Sequence, residues 1–412
     1  MFRTIASFLV ALCLYEPGVA QSWTQYTDSN SPLPFPSVRC IAFETDGTAW
    51  IGTDFGLARF SSGVWTIFNN SNSPLASNDI RSLCIGTNNT KFIGTFSAGL
   101  YTFNDTVWTN LNTSNSSLPD DYIRSLTKGP SGSVWVGTTA GLVRMDSSGS
   151  WTVYTMWNSV LGSNNIACLH HDTVNSEVWA GTVNGGVLRV ANDTVLSSFT
   201  IQNSGISDNT ILGIDQDASG NMLFVSPANG LIVKLNPFGW FTYNLVSSNI
   251  PTSGLTCILA DSLQDAWIGS FNKGLIRKSG TGFSYSDSTN SPLEDIIVQC
   301  LARDSAGRIW IGTQTAGLYI LDTQATTGIE TLHVPDATIR AYPNPAGRFI
   351  RLAGVADADN LEIVSPEGRV VFYGNTNQGV LDLAGLPPGL LLIRSVDENW
   401  KPVRVLHQPG HF

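Results

Sequence analysis

Residues 50–57 read "WIGTDFGL", and the same phrase returns as "WIGSFNKGL" at 267–275 and "WIGTQTAGL" at 310–318. Aligned on its first residue, the phrase begins at Trp50, Phe92, Trp135, Trp179, Phe224, Trp267 and Trp310, at intervals of 42 to 45 residues. A glycine and an aliphatic residue follow each copy: Gly56-Leu57, Gly99-Leu100, Gly141-Leu142, Gly186-Val187, Gly230-Leu231, Gly274-Leu275 and Gly317-Leu318. Upstream of each lies a run with apolar residues three apart, such as Val38 and Ile41, usually closed by a turn signal such as "TDG", "PSG", "ASG" or "SAG". Downstream comes one more strand and an aromatic phrase such as "WTIF" at 65–68. Each unit therefore offers four short strands separated by turn residues, with no helical period.

Self-similarity at this period, with four strands per unit, is the size of one β-propeller blade, and a solenoid of stacked coils is the rival. Bookkeeping at the ends favours a ring. The aromatic phrase "SWTQY" at 22–26 precedes the first unit, while the seventh unit ends at "GLYILD", 317–322, with none after it. One orphan strand fits one vacancy. The expected fold class is all-β: a seven-bladed β-propeller closed by the N-terminal strand, followed by a small Ig-like β-sandwich. A blade is buried on both faces by its neighbours, which explains a strand apolar on both sides. Where sheets converge on the axis side chains must be small, and the aligned inner-strand position reads Cys40, Ser82, Ser125, Cys168, Gly213, Cys257 and Cys300. Four of the cysteines thereby become packing residues rather than disulfide partners or metal ligands.

The chain of 412 residues is 42% hydrophobic and 13% charged, with net charge -10, which argues against a nucleic-acid surface. Residues 1–20 read as a secretory signal: Arg3, the apolar run Ile5 to Leu14, and Gly18-Val19-Ala20 as a small-residue cleavage site. The expected domains are a signal at 1–20, the propeller at 21–322, a polar linker at 323–340 and the C-terminal domain at 341–412.

"NSPL", Val-x-x-Ile, Asp-x-x-Gly, Trp-Ile-Gly-Thr and Gly-Leu in series resemble the two-component regulator propeller repeat, over residues 22–322. That resemblance implies a ligand-sensing platform, commonly for oligosaccharides. "LFVSPANGL" at 223–231 departs most, having lost the Trp and the Gly-Thr. In the last segment, Tyr342-Pro343-Asn344-Pro345, Glu367-Gly368-Arg369 and Leu386 to Gly389 are similar to the type A sorting domain of the Bacteroidetes type IX secretion system. This similarity implies export to the medium or the outer-membrane surface by that machinery.

Function is then sought on the propeller face that carries the loops entering each blade and those joining its second and third strands. Arg39, Arg81 and Arg124 take one aligned position in three consecutive blades, where the others carry Ala167, Leu212, Thr256 and Gln299. Three guanidiniums at one rim suit a carboxylate or sulfate of an acidic glycan, unless they pair with loop acids such as Asp79, Asp120 and Asp121. Trp157 stands where other turns carry serine and offers a face for a sugar ring; Phe55, Phe96 and Phe271 decorate the same side. His170 and His171 fit no triad or metal spacing, Asp120-Asp121 and Glu294-Asp295 only weakly suggest a glycosidase, and "DQDASGN" at 215–221 reads as a turn. The expected protein is a binding module for an extracellular glycan or other small ligand, without cofactor, metal or catalytic residues. A polysaccharide lyase or hydrolase and a structural adhesion protein are the alternatives.

Overall fold

The computed structural model describes residues 21–191, 195–235, 239–261, 265–323, 340–342, 348–353, 360–365, 369–375, 380–395 and 403–407. The expected signal at 1–20 and nearly all of the expected linker at 323–340 lie outside them. The chain divides into two compact units, Met1–Thr326 and Thr327–Phe412.

The first unit consists of seven four-stranded antiparallel sheets. Blade 1 runs Val38–Phe43, Ala49–Thr53, Gly56–Ser61 and Val64–Phe68 in spatial as in chain order. Blades 2 to 6 repeat that order from inner strands Ile80–Ile85, Ile123–Lys128, Ile166–Asp172, Gly213–Gln216 and Leu255–Ala260. Blade 7 takes three strands from the end of the unit, Val298–Arg303, Ile309–Thr313 and Leu318–Asp322, and its outer strand from the start, Ser22–Tyr26. The pairing is antiparallel, with Ser22 opposite Asp322 and Tyr26 opposite Leu318. Each inner strand contacts the inner strand of the next blade, and that of blade 7 contacts that of blade 1, so the ring closes.

The repeated phrase now has a role for each residue. In blade 1, Trp50 is fully buried, stacks on Phe68 at 5.7 Å and meets Phe103 of blade 2 at 6.0 Å. Ile51 turns to the other face and packs with Trp310 of blade 7. Gly52 lies opposite Cys40, and a Cβ there would come within 2.5 Å of the Cys40 sulfur. The Thr53 hydroxyl donates to the Gly56 carbonyl at 2.8 Å, clamping the turn between second and third strands. The aligned hydroxyls of Thr95, Thr138, Thr182, Ser270 and Thr313 make the same bond. The six glycines that receive it have positive φ, from 62° at Gly274 to 154° at Gly141, a region closed to most side chains, and Gly230 of blade 5 shares that conformation although the Ser226 hydroxyl donates to Asp208 instead.

Blade 5 shows how the pattern bends. The pairing register places Leu223 at the Trp position, facing blade 6, and Phe224 at the position of Ile51, fully buried against Trp179 of blade 4, so the alignment that begins this copy of the phrase at Phe224 is one residue out. The second strand of blade 5 carries Val225 where the others carry glycine, and the residue opposite is Gly213. Small and large have exchanged strands, which keeps the volume of the pair nearly constant. Seven apolar clusters, one between each pair of adjacent blades, form the core.

The inner-strand cysteines pack between blades, as their position demands. Cys40, Cys168 and Cys300 direct their thiols at the carbonyls of Ile80, Ile211 and Val38 in the following blade, at 4.0, 3.6 and 3.7 Å. Cys40, Cys84, Cys168, Cys257 and Cys300 are all free. Burial pushes the thiols of Cys84, Cys168 and Cys257 up to about 12, so they stay protonated and unreactive.

In the second unit a three-stranded sheet of Arg340–Tyr342, Phe349–Ala353 and Val380–Asp382 and a four-stranded sheet of Asn360–Val364, Val370–Asn375, Gly389–Ser395 and Val403–His407 share one core. Alternate residues face inward, among them Ile350 and Leu352 from the first sheet and Leu361, Ile363, Leu391 and Ile393 from the second. Pro343-Asn344-Pro345, Glu367-Gly368 and the tail beyond His407 lie outside the described residues.

Candidate functional site

The second residue of each inner strand borders the axis, and the aligned set Arg39, Arg81, Arg124, Ala167, Leu212, Thr256 and Gln299, except that in blade 5 it immediately precedes the strand, converges on one cavity of about 450 Å³. Tyr122, Ile297, Phe271 and Gln314 complete its wall. Phe271 and Gln314 come from the turns between second and third strands, on the face foreseen from the sequence. The cavity is thus two-sided, cationic along blades 1 to 3 and apolar or amide-lined along blades 4 to 7.

The three arginines differ in their partners. Arg39 donates from Nε and an Nη to the two oxygens of Asp54, at 2.6 and 2.9 Å. Burial alone would raise the Asp54 carboxyl, but the bonds and charge of Arg39 hold it below the usual carboxylate range. Arg81 pairs with Asp79 at 2.5 Å and lies 5.1 Å from the centre of the Phe96 ring. Arg124 donates to the side-chain oxygen of Asn165 at 2.5 Å and sits 5.9 Å from the Tyr122 ring. The pairing foreseen with loop acids therefore holds for Asp79 but not for Asp120 or Asp121. Asp120 instead accepts from the Thr139 hydroxyl and the Tyr122 amide, and Asp121 accepts from the Thr113 amide and hydroxyl. Asp54 went unnoticed in the sequence; the signal was an acid directly after the Gly-Thr of blade 1, where Phe96, Phe271 and Gln314 stand elsewhere.

The aromatic candidates separate. Phe271 lines the cavity and is 45% exposed. Phe96 does not line it; its ring is held between the Arg81 guanidinium and Tyr122, 4.7 Å away. Phe55 packs on Phe35 at 4.5 Å. Trp157 is 85% exposed, on the turn joining blades 3 and 4, and is not part of the cavity wall. It belongs to the outer-strand end of that connection, immediately after the strand Trp151–Tyr154, so the periodicity that gave its face did not give its distance from the axis.

The remaining candidates are engaged structurally. His170 Nδ1 lies 3.4 Å from Asp215 of blade 5, and its Nε2 is buried without a partner. Burial lowers the His170 pKa, with Asp215 and Asp172 acting against it, while burial raises that of Asp215. Asp295 accepts from the Thr315 amide and hydroxyl. In "DQDASGN", Asp217 accepts from the amides of Ser219 and Asn221, a turn closed on itself. Among the described residues no group of His, Cys, Asp and Glu is arranged to hold a metal, and no helix is long and apolar enough to cross a membrane.

Residues 117–140 and 292–315 match the family described as two component regulator propeller. They cover the inner strand, turn and Trp-x-Gly-Thr strand of blades 3 and 7. No curated protein sequence matches the chain. Among solved structures, the extracellular domain of the putative hybrid two component system BT3049 from B. thetaiotaomicron is similar at TM-score 0.63 and 20% identity, over 94% of this chain and 57% of that one. PorZ, a bacterial surface component of the type-IX secretion system of Porphyromonas gingivalis, is similar at 0.60 and 16%, over 89% and 59%. The virginiamycin B lyase of Staphylococcus aureus is similar at 0.60 and 14%, over 73% and 99%. The chain thus spans under two thirds of the first two, and these likenesses carry the fold alone. In fold the chain is a β-propeller like those extracellular domains, with two blades that match the two component regulator propeller family.

Proposed function

We propose that the protein is an extracellular binding module that recognises a glycan at the cavity bordered by Arg39, Arg81 and Arg124. The observation that carries this reading is the convergence of the seven aligned inner-strand positions on one two-sided cavity. Guanidiniums on one wall suit the acidic and hydroxyl groups of a sugar, and Phe271 with Leu212 on the other suits its apolar ring faces. Phe96 supports Arg81 from behind, and Trp157 supplies a peripheral platform for a longer chain. The extracellular nature of the BT3049 domain is consistent with this setting.

Residues 341–412 serve, in the same reading, as the sorting domain that hands the propeller to type IX secretion machinery. The sequence similarity and the β-sandwich of the second unit support this role. The lyase alternative gains no support from His170, whose Nε2 is buried without a partner.

A glycan array probed with the wild type and with the Arg39, Arg81 and Arg124 triple alanine variant tests the site. Binding lost in the variant supports it; equal binding removes the cavity from recognition. For export, a chain ending at residue 326 should stay in the periplasm of a type IX host while the full chain reaches the surface or medium.

A further inference from the structure

The three arginines are chemically unequal, and their pairing defines the charge the cavity takes. Arg39 is neutralised by Asp54, to which it donates two hydrogen bonds, and Arg81 by Asp79. Asp54 and Asp79 both lie in the fields of these two arginines: Arg39 feels both acids, and Asp54 feels both guanidiniums. Arg124 pairs with the neutral amide of Asn165, and among the described residues no carboxylate pairs with it. No carboxylate lines the cavity, and the wall across from the arginines is uncharged.

Resting on the glycan reading above, we infer that Arg124 is the anchor for a single anionic group, a carboxylate or sulfate ester, on a ligand whose remainder is uncharged. Arg39 and Arg81 are positioning residues that shape the cationic wall while spending their charge on Asp54 and Asp79. A second negative group would find no free cation, because Arg39 and Arg81 are already held by Asp54 and Asp79. The uncharged part of the ligand meets Leu212, Phe271 and Gln299 across the cavity.

The test measures dissociation constants of the full chain, by calorimetry, for four matched probes: para-nitrophenyl glucuronide, glucoside, sulfate and phosphate. The wild type should prefer the glucuronide to the glucoside by about tenfold or more, as expected for one charge-assisted contact. Arg124→Gln should bring that ratio near one, and Arg124→Lys should restore part of it. The double variants Arg39→Gln/Asp54→Asn and Arg81→Gln/Asp79→Asn, which remove a cation with its own acid, should keep the ratio even where absolute affinity falls. The dianionic phosphate should bind no better than the sulfate. A ratio that survives in Arg124→Gln, or collapses in either double variant, overturns the anchor and leaves the glycan reading standing. Arg124-dependent binding of the sulfate with no binding of either glycoside sinks the glycan reading and leaves the anchor standing. Absence of binding by all four probes overturns both.

Discussion

Gly213 and Val225 face one another across the first two strands of blade 5, with the glycine on the strand that carries cysteine, serine or threonine-flanked cysteine elsewhere. In the other blades the order is reversed, as with Cys40 opposite Gly52 and Cys300 opposite Gly312. A Cβ on Gly213 would lie 2.8 Å from the Val225 side chain and 3.2 Å from the Cys257 backbone of blade 6. Gly213→Cys alone should therefore overpack the site and cost about 1–3 kcal/mol. Adding Val225→Gly should return much of that loss, since it recreates the arrangement of blade 1. A double-mutant cycle by urea unfolding measures the coupling; additive losses would show that the two positions do not share one volume.

Closure by Ser22–Tyr26 gives a second expectation. Trp23 meets Tyr319 at 6.3 Å and Gln25 donates to the Tyr319 hydroxyl at 2.6 Å, while Tyr26 packs on Phe60 and Trp65 of blade 1. Deleting residues 22–26 should destabilise the propeller by roughly 2–5 kcal/mol, from the loss of two partly buried aromatics. It should also expose the edge of Leu318–Asp322 to intermolecular pairing. Thermal unfolding and size-exclusion chromatography check both effects, and a synthetic peptide of residues 21–27 added in trans should reverse them.

Lys91 of blade 2 is fully buried, 3.3 Å from Glu44 of blade 1 and 2.6 Å from Asp105. It also lies over Trp50 and Phe103, whose indole and ring bound the same space. Lys91→Ala leaves Glu44 buried with no cation and should cost about 3–5 kcal/mol. Combining Lys91→Met with Glu44→Gln, which removes both charges and keeps the volume, should cost much less. Chemical denaturation of the two variants distinguishes loss of packing from loss of pairing.

His170 predicts a pH dependence. Burial holds its folded pKa below the ordinary 6.5, so as pH falls through that value the unfolded chain takes up a proton before the folded one. The stability it contributes is present above 6.5 and declines below it. Asp215 acts in the opposite sense: its raised pKa lets the folded state take up a proton above 3.8, where an unfolded aspartate stays charged. Its contribution therefore grows as pH falls. Asp172 and Arg303 share the neighbourhood, and both remain in the variant. His170→Gln should flatten the fall in melting temperature just below pH 6.5; an unchanged profile would remove His170 from the pH response.

The fold was legible because a propeller writes its constraints once per blade. Trp, Gly, Thr and the second Gly of "WIGTDFGL" each answer a local demand, and the same demand recurs at a fixed interval. The aligned position of Arg39, Arg81 and Arg124 was legible for the same reason. Their partners were not, because Asp54 and Asn165 lie in turns that differ between blades and obey no period. Trp157 shows the other gap: repetition tells which face a turn occupies, while its radius depends on how far along the connection the residue stands. Blade 5 was the hardest to foresee, since exchanging Gly213 with Val225 erases the pattern in each strand while preserving their sum.

The seventh blade unites residues that stand 294 positions apart, as Gln25 and Tyr319 do. Every other sheet in the ring can assemble from a contiguous stretch as the chain emerges, whereas this one waits for the unit's last strand. Completion of the ring is thus a late, non-local step, and until Leu318–Asp322 is made and meets Ser22–Tyr26 the earlier sheets stand as an open array.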